Sequence, residues 1–338
     1  MKTAVIGAGR MGRRHVQVVR ALGLELVGLG DAKAEALEAA AREEGLPSEV
    51  LYTDVARLLE ERRPECVVVA TTAPSHAEYA CRAAEAGARF VLCEKPMAVS
   101  LAECDRMLKV CRERGTRLAV NHQMRFMEQY TAPKALLDSE AFGGLRGVLV
   151  AAGNFGLAMN GTHYFEMFRF MTGEPPATVA AWFSAGAVPN PRGPQFEDRA
   201  GSVRLETASG KRFFMDVSDD QGHGVKVTYS ARYGQITVDE LAGVMVADVR
   251  QDEHRPLATT RYGMPSRREE RHIEPADAVA PSRAVLEALL RGSDYPSGED
   301  GRLAVAALVA AYVSDEEGHR TMRLDTDELP RDRRFAWA

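Results

Sequence analysis

In the opening segment, "MKTAVIGAGRMGRRHVQVVRA", an apolar run stops at Gly7-Ala8-Gly9-Arg10-Met11-Gly12 and an amphipathic run begins. This order of strand, glycine turn and helix constrains the chain more than any other feature. G-x-G-x-x-G in that context is the signature of a βα turn that wraps a dinucleotide. Gly7 permits the tight turn, Gly9 lets a pyrophosphate approach the backbone, and Gly12 lets the helix lie close on its strand. The helix start, with Arg10 and Met11, offers N–H groups and a positive partial charge to phosphates. A second apolar run, "LELVGLGD", ends at Asp31. Its carboxylate suits the adenosine ribose hydroxyls and would repel a 2′-phosphate. The expected cofactor is therefore NAD, with Lys33 nearby leaving NADP open.

The pattern continues through the first third of the chain. "ECVVVATT" and "RFVLCEK" are apolar on consecutive positions, as strands buried on both faces are. Helical stretches separate them, with Gly45, Gly87 and Gly115 just past the helix ends. Alternating strands and helices predict a Rossmann-type, doubly wound parallel sheet over residues 1–123. Residues 124–338 read differently. Runs such as "LRGVLVAAGNF", "ATVAAWFSAGA", "KRFFMDVS" and "VKVTYSAR" are joined by Gly, Ser, Asp and Asn turns, with one helix, 162–171, among them. They predict an α+β domain with a large, mostly antiparallel open sheet. "QDEHRPLATTRYGMPSRREERHIEP" has no periodicity and reads as a long loop, its Arg267–Arg271 run solvated or in an oligomer contact. Two helices, 282–291 and 298–317, close the chain.

Composition narrows the partners. With 338 residues, 45% hydrophobic and 27% charged, the chain is long enough for two domains. A net charge of −5 supplies no basic field for nucleic acid. The apolar run "LAVAALVAAYV" is about half the ~20 residues that a membrane span needs, so no membrane partner is expected. The start reads directly as a strand, and no signal peptide is expected. The five cysteines make no C-x-x-C pair and predict reduced thiols in a cytoplasmic protein without a metal site.

The apolar run "RFVLC" ends at Glu94-Lys95-Pro96. Ligands of a doubly wound sheet sit outside the carboxyl ends of its strands. Glu94 and Lys95 are thereby placed on the same edge as the glycine loop. A hydride transfer at an alcohol carbon also needs a proton to leave or join the oxygen. A lysine whose pKa falls from ~10.4 towards ~7–8 can carry it. Thr71, at the end of "ECVVVATT", and Glu94 complete the expected cofactor contacts.

Together, GAGRMG, "TTAPSHAEYACRAAEAG", Glu94-Lys95-Pro96, "NHQMRF" and "SGEDGRLAV" resemble the glucose–fructose oxidoreductase and inositol dehydrogenase (Gfo/Idh/MocA) family over nearly the whole chain. The resemblance implies an oxidoreductase acting on a sugar, cyclitol or related polyol. It also implies a cis Lys95-Pro96 bond and a second domain that makes an oligomer contact. A homodimer or homotetramer is expected, on the reasoning that an open sheet leaves one apolar face uncovered. Other readings are a reductase of another carbonyl or imine compound, and a non-catalytic dinucleotide-sensing regulator.

The family carries D-x-G-x-H at a helix start. Here the stretch is "AMNGTHYFEMF": His163 falls on the histidine and Gly161 on the glycine, but Met159 stands at the aspartate. His163 is expected to be catalytic beside Lys95, and neutral because a helix N-terminus disfavours imidazolium. Asn160 is expected to bond a substrate hydroxyl or cap the helix. Arg125 falls on a family arginine near the pocket. Asn121, Gln123 and Asn154 are further substrate candidates, and His76 is expected to cap or pack.

Overall fold

The computed structural model describes residues 1–258, 265–275, 277 and 279–338. Its first part is β1 (Lys2–Ile6), α1 (Arg10–Ala21), β2 (Glu25–Gly30), α2 (Ala34–Glu44), β3 (Leu51–Tyr52), α3 (Val55–Arg62), β4 (Cys66–Val69), α4 (His76–Glu85), β5 (Phe90–Cys93), α5 (Leu101–Arg114) and β6 (Arg117–Val120). The six strands pair in parallel in the order β3-β2-β1-β4-β5-β6, the doubly wound arrangement that the alternation predicts. β1 and β4 are neighbours on the two sides of the chain reversal, so the glycine loop and the strand ends that follow share one edge. Val67, Val68, Val69, Val91, Leu92 and Cys93 are all fully buried, which explains strands apolar on consecutive positions.

The second part is α6 (Glu128–Leu137), β7 (Leu145–Gly153), α7 (Thr162–Thr172), β8 (Pro176–Ala187), β9 (Arg199–Thr207), β10 (Arg212–Ser218), β11 (Lys226–Ala231), β12 (Gly234–Asp239), β13 (Val244–Arg250), β14 (Ser266–His272), α8 (Ala280–Arg291), α9 (Gly298–Glu316) and β15 (Met322–Arg323). Nine strands form a sheet in the order β14-β13-β12-β11-β7-β10-β9-β8-β15. Every pair is antiparallel except β7 with β10. The inner face carries Val148, Val150, Val203, Leu205, Phe213, Met215, Val227 and Tyr229, all buried in one cluster with α7 and α9. Helix α9 is buried on every side from Ala304 to Ser314, as an all-round apolar helix between two sheets must be. Among the described residues no helix is long and apolar enough to cross a membrane.

Three features differ from the sequence reading. Helix α6 contains Pro133, which masked it as a helix. The 251–275 segment is not all loop. Ser266–His272 forms β14 on the edge of the sheet, fully solvent-facing, with Arg268 on Asp248 at 3.2 Å and Arg271 on Glu128 at 2.6 Å. An exposed, charged edge strand has no alternation to reveal it, and its charges discourage further pairing. Residues 259–264 of the same stretch lie outside the described residues. The outer face of the sheet is also not simply apolar. Across β13 to β9 the register gives the row Val246, Thr237, Thr228, Leu149, Phe214 and Arg204, so exposed Leu149 and Phe214 sit among threonines and charges.

Helix α8 returns to the first sheet. Val285, Leu286 and Leu289 are buried against Val16, Val19, Phe90, Leu92 and Ala119.

Candidate active site

A cleft of about 630 Å³ runs along the carboxyl edge of the parallel sheet. Gly7, Gly9, Arg10, Met11, Asp31, Thr71 and Glu94 line it, and Met159, Pro191 and Arg192 from the second part close one end. The three glycines do different work. Gly7 has φ +105°, and a Cβ there would lie 2.6 Å from the Ala70 carbonyl oxygen. A Cβ on Gly12 would lie 1.7 Å from the Gly7 carbonyl oxygen, so Gly12 serves close packing. A Cβ on Gly9 would meet no protein atom within 4 Å, which leaves that space for a ligand. The Asp31 carboxylate is fixed across the loop by the N–H groups of Ala8 at 2.8 Å and Lys33 at 2.9 Å. Each of its oxygens keeps a lone pair for a ribose hydroxyl. The Thr71 hydroxyl accepts from Ser75 Oγ at 2.7 Å. These residues fit a dinucleotide: loop N–H groups and Arg10 for the diphosphate, Asp31 for the ribose, and a strand-end wall for the nicotinamide.

Glu94 lines the cleft but turns its carboxylate inward. Oε1 accepts from His15 Nε2 and from Asn121 Nδ2, each at 2.8 Å. Burial alone would raise its pKa, but these bonds, His15 and Lys95 together hold it down to about 2. Lys95 follows in a cis bond to Pro96. Its Nζ donates to the Met159 carbonyl. Burial pulls the Lys95 ammonium down to about 8, helped by Arg192 and Arg10 and opposed by Glu94 and Asp198.

His163 is buried and stands edge-on to His122, with ring centroids 5.5 Å apart. Its Nδ1 has no partner among the described residues. Burial, then Lys95 and His122, hold His163 well below its ordinary value. The imidazole is neutral as expected, with burial as the largest cause. A π-helical turn, Leu157–Gly161, runs into α7, so the helical run begins six residues before His163. The N–H groups at that start, on Ala158 and Met159, donate to the two carboxylate oxygens of Asp198 at 2.7 and 3.2 Å. Asp198 is 1% exposed, and burial raises it to about 6. Gly156 makes room for it: a Cβ there would fall 2.2 Å from the carboxylate carbon.

Several sequence candidates are not brought to the cleft. Asn121 is fully buried behind it, donating to Glu94 and to Ser282 Oγ at 3.0 Å. Arg125 is consumed by Glu166, by Asp294 at 2.9 Å and by Asp300 at 3.4 Å, a clamp within the second part. Gln123 opens a 3₁₀ turn and is absent from the cleft wall. Asn154 is exposed at φ +64°, a turn residue whose N–H donates to the Ser218 carbonyl. Asn160 lies inside the π turn and does not cap the helix; Asp198 does. His76 packs, bridging the carbonyls of Pro96 at 2.9 Å and Thr71 at 3.1 Å. The sequence reading missed Asp198 and Arg192, both from the turn-rich segment "PNPRGPQFED", and the buried partners His15 and His122. Among the described residues, no cluster of His, Cys, Asp and Glu is arranged to hold a metal.

Comparison with known proteins agrees with this geometry. Residues 1–122 match the family described as "Oxidoreductase family, NAD-binding Rossmann fold". The D-apiose dehydrogenase of Paraburkholderia graminis is 29% identical over 360 residues, covering 97% of this chain and 90% of that protein. An inositol 2-dehydrogenase of Streptomyces avermitilis is 30% identical, covering 94% of this chain and 92% of its own. The crystal structure of an oxidoreductase from Agrobacterium radiobacter superposes with a TM-score of 0.79 at 21% identity, covering 96% and 98% of the two chains, a likeness of fold. The chain belongs to the Gfo/Idh/MocA family of dehydrogenases and carries its NAD-binding Rossmann domain.

Proposed function

We propose that this dehydrogenase oxidises a hydroxyl of a sugar, cyclitol or related polyol, or reduces the matching ketone, with Lys95 as the proton carrier. The bound nicotinamide supplies the hydride acceptor or donor. The observation that carries the reading is Lys95: an amine at the sheet's carboxyl edge, poised near pH 8 and held by the Met159 carbonyl. In oxidation the neutral amine takes the hydroxyl proton; in reduction the ammonium returns it. His163 is neutral, and its Nε2, the ring nitrogen that is not sealed by burial, holds the substrate hydroxyl. The relatives named for inositol and apiose support the substrate class.

Residues 1–123 hold the cofactor in this reading and residues 124–338 supply the substrate wall, with α8 returning to brace the first sheet. Asp31 selects NAD over NADP. The outer face of the nine-stranded sheet joins two or four copies. The reaction is cytoplasmic, where five buried, unpaired thiols stay reduced.

Lys95→Ala tests the chemistry. With a polyol that is turned over, the rate should fall about 10²–10⁴-fold, while NADH binding, read by its fluorescence, stays intact. Near-normal turnover would move the proton path to His163.

A further inference from the structure

Arg125 Nε, both ring nitrogens of His122 and His163 Nδ1 are buried without a partner among the described residues. The three side chains belong to one constellation. His122 immediately precedes the 3₁₀ turn Gln123–Phe126 and Arg125 lies within it, a spacing of three that puts side chains on one side of such a turn. His163 and Glu166 share a face of α7 at the same spacing. The two elements meet in register. The His122 ring stands edge-on to the His163 ring, and Arg125 Nη2 donates to Glu166. Arg125 clamps Glu166, Asp294 and Asp300 with its two Nη groups only, so its Nε–H is left over.

Buried polar groups in folded proteins are answered, directly or through an ordered water. Here they can be answered in one sense. A guanidinium N–H donates and never accepts. His122 is neutral: burial, then Lys95 and Arg125, hold it down to about 3. A neutral imidazole has one N–H and one lone pair. Once the lone pair of His122 takes the Arg125 Nε–H, its own N–H is left for His163, and the sealed Nδ1 of His163 must accept. The proton of His163 then sits on Nε2, the nitrogen that burial does not seal. A bridging water accepts on one side and donates on the other, so it keeps the same direction.

We infer that Arg125 and His122 are positioning residues that fix the tautomer of His163, so that His163 presents Nε2–H to the substrate oxygen as a donor and Lys95 alone carries the proton. This rests on the oxidoreductase reading above. In reduction the N–H polarises the ketone oxygen that Lys95 protonates. In oxidation it steadies the same oxygen as Lys95 takes its proton. The hydride is exchanged at the carbon bonded to that oxygen.

The tautomer is read directly in the NADH complex. With 15N-labelled histidine, long-range proton–nitrogen spectra distinguish a protonated ring nitrogen from a bare one, and His163→Gln identifies the signals. Wild-type His163 should carry its proton on Nε2 and a bare Nδ1. His122→Phe keeps a flat ring in the same space but cuts the chain. His163 should then populate both tautomers, and kcat should fall about tenfold at little-changed KM and NADH affinity, with myo-inositol and D-glucose as probes. His122→Gln, whose amide accepts and donates at once, should restore the single tautomer and most of the rate; a role confined to packing would favour Phe instead. Should His122→Phe not fold, the wild-type spectrum decides alone. The spectra need no turnover, so the expected tautomer without oxidation of either probe supports the chain and counts against the proposed reaction. A proton on wild-type His163 Nδ1, as donation to the unpartnered Glu166 Oε2 would place it, overturns the inference. So does a His122→Phe protein that keeps the wild-type tautomer.

Discussion

Lys95 and Asp198 grip Met159 from opposite sides: the lysine donates to its carbonyl oxygen, and the aspartate accepts from its N–H at 3.2 Å. The residue that stands where the family has an aspartate is thus held between a base and an acid drawn from elsewhere. Asp198 arrives from the connection between β8 and β9, and acts on Lys95 through the backbone and through its charge.

Removing that charge should change the pH profile. The groups facing Lys95 are Glu94 and Asp198, which raise its pKa, Arg192 and Arg10, which lower it, and the neutral imidazoles of His163 and His122. Oxidation needs the neutral amine, so its rate should rise with pH through about 8 in the wild type. Asp198→Asn should move that limb to lower pH, by about one unit. Because Asp198 itself titrates near 6, the two proteins should differ less below that pH. Coincident limbs in the two profiles would show that the carboxylate has no electrostatic role.

The glycine loop offers a contrast within three residues. Gly9→Ala places its methyl group in open cleft, so the melting temperature should hold within about 1 °C while NAD affinity falls roughly tenfold. Gly12→Ala drives a methyl into the Gly7 carbonyl and should cost about 2 kcal/mol or more. Thermal denaturation and NADH fluorescence check both; equal melting temperatures for the two variants would contradict the assignment.

Glu94 should appear in acid stability. Its pKa drops from 4.5 to about 2 on folding, so its contribution is present above 4.5 and lost as pH falls through 2. The full contribution is roughly 3 kcal/mol, and more than half should be gone by pH 3. Urea midpoints of wild type and Glu94→Gln should therefore differ most near neutrality and converge in acid. A constant gap from pH 3 to 7 would mean that the bonds from His15 and Asn121 carry no charge dependence.

Assembly is tested on the outer face. Leu149→Asp and Phe214→Asp together should convert an oligomer to monomers by light scattering, since both side chains are exposed in the centre of the sheet. A wild-type monomer at micromolar concentration would remove the argument for this interface.

The first sheet and its loop were legible because their determinants are local. Gly7 to Gly12, Asp31 and Lys95 each follow an apolar strand and announce the same edge. Asp198 and Arg192 were not, because no periodicity ties a turn-rich connection to a helix start some forty residues earlier; only the fold brings them together. Arg125 misled for a related reason. The residue is near the site in sequence pattern, but Glu166 and Asp300, from two other helical segments, claim its guanidinium. For His163 the sequence shows the helix start but neither the burial that is the largest cause of its neutrality nor the π turn ahead of α7, which leaves no mark in the residue pattern.

Helix α9 bears on how this protein can be re-engineered. Near its start, a Cβ on Gly301 would lie 2.3 Å from a Val120 methyl and one on Gly298 would lie 2.7 Å from Leu108 and 2.9 Å from Leu118. Near its end, Ser314 Oγ accepts from the Ala181 N–H at 3.0 Å in the other sheet. Over that span, about 20 Å of helix, one rigid shaft is keyed to both layers. A chimera that grafts a different substrate layer onto this nucleotide unit must bring small residues at 298 and 301, or the new layer will not seat and its cleft will be mis-cut.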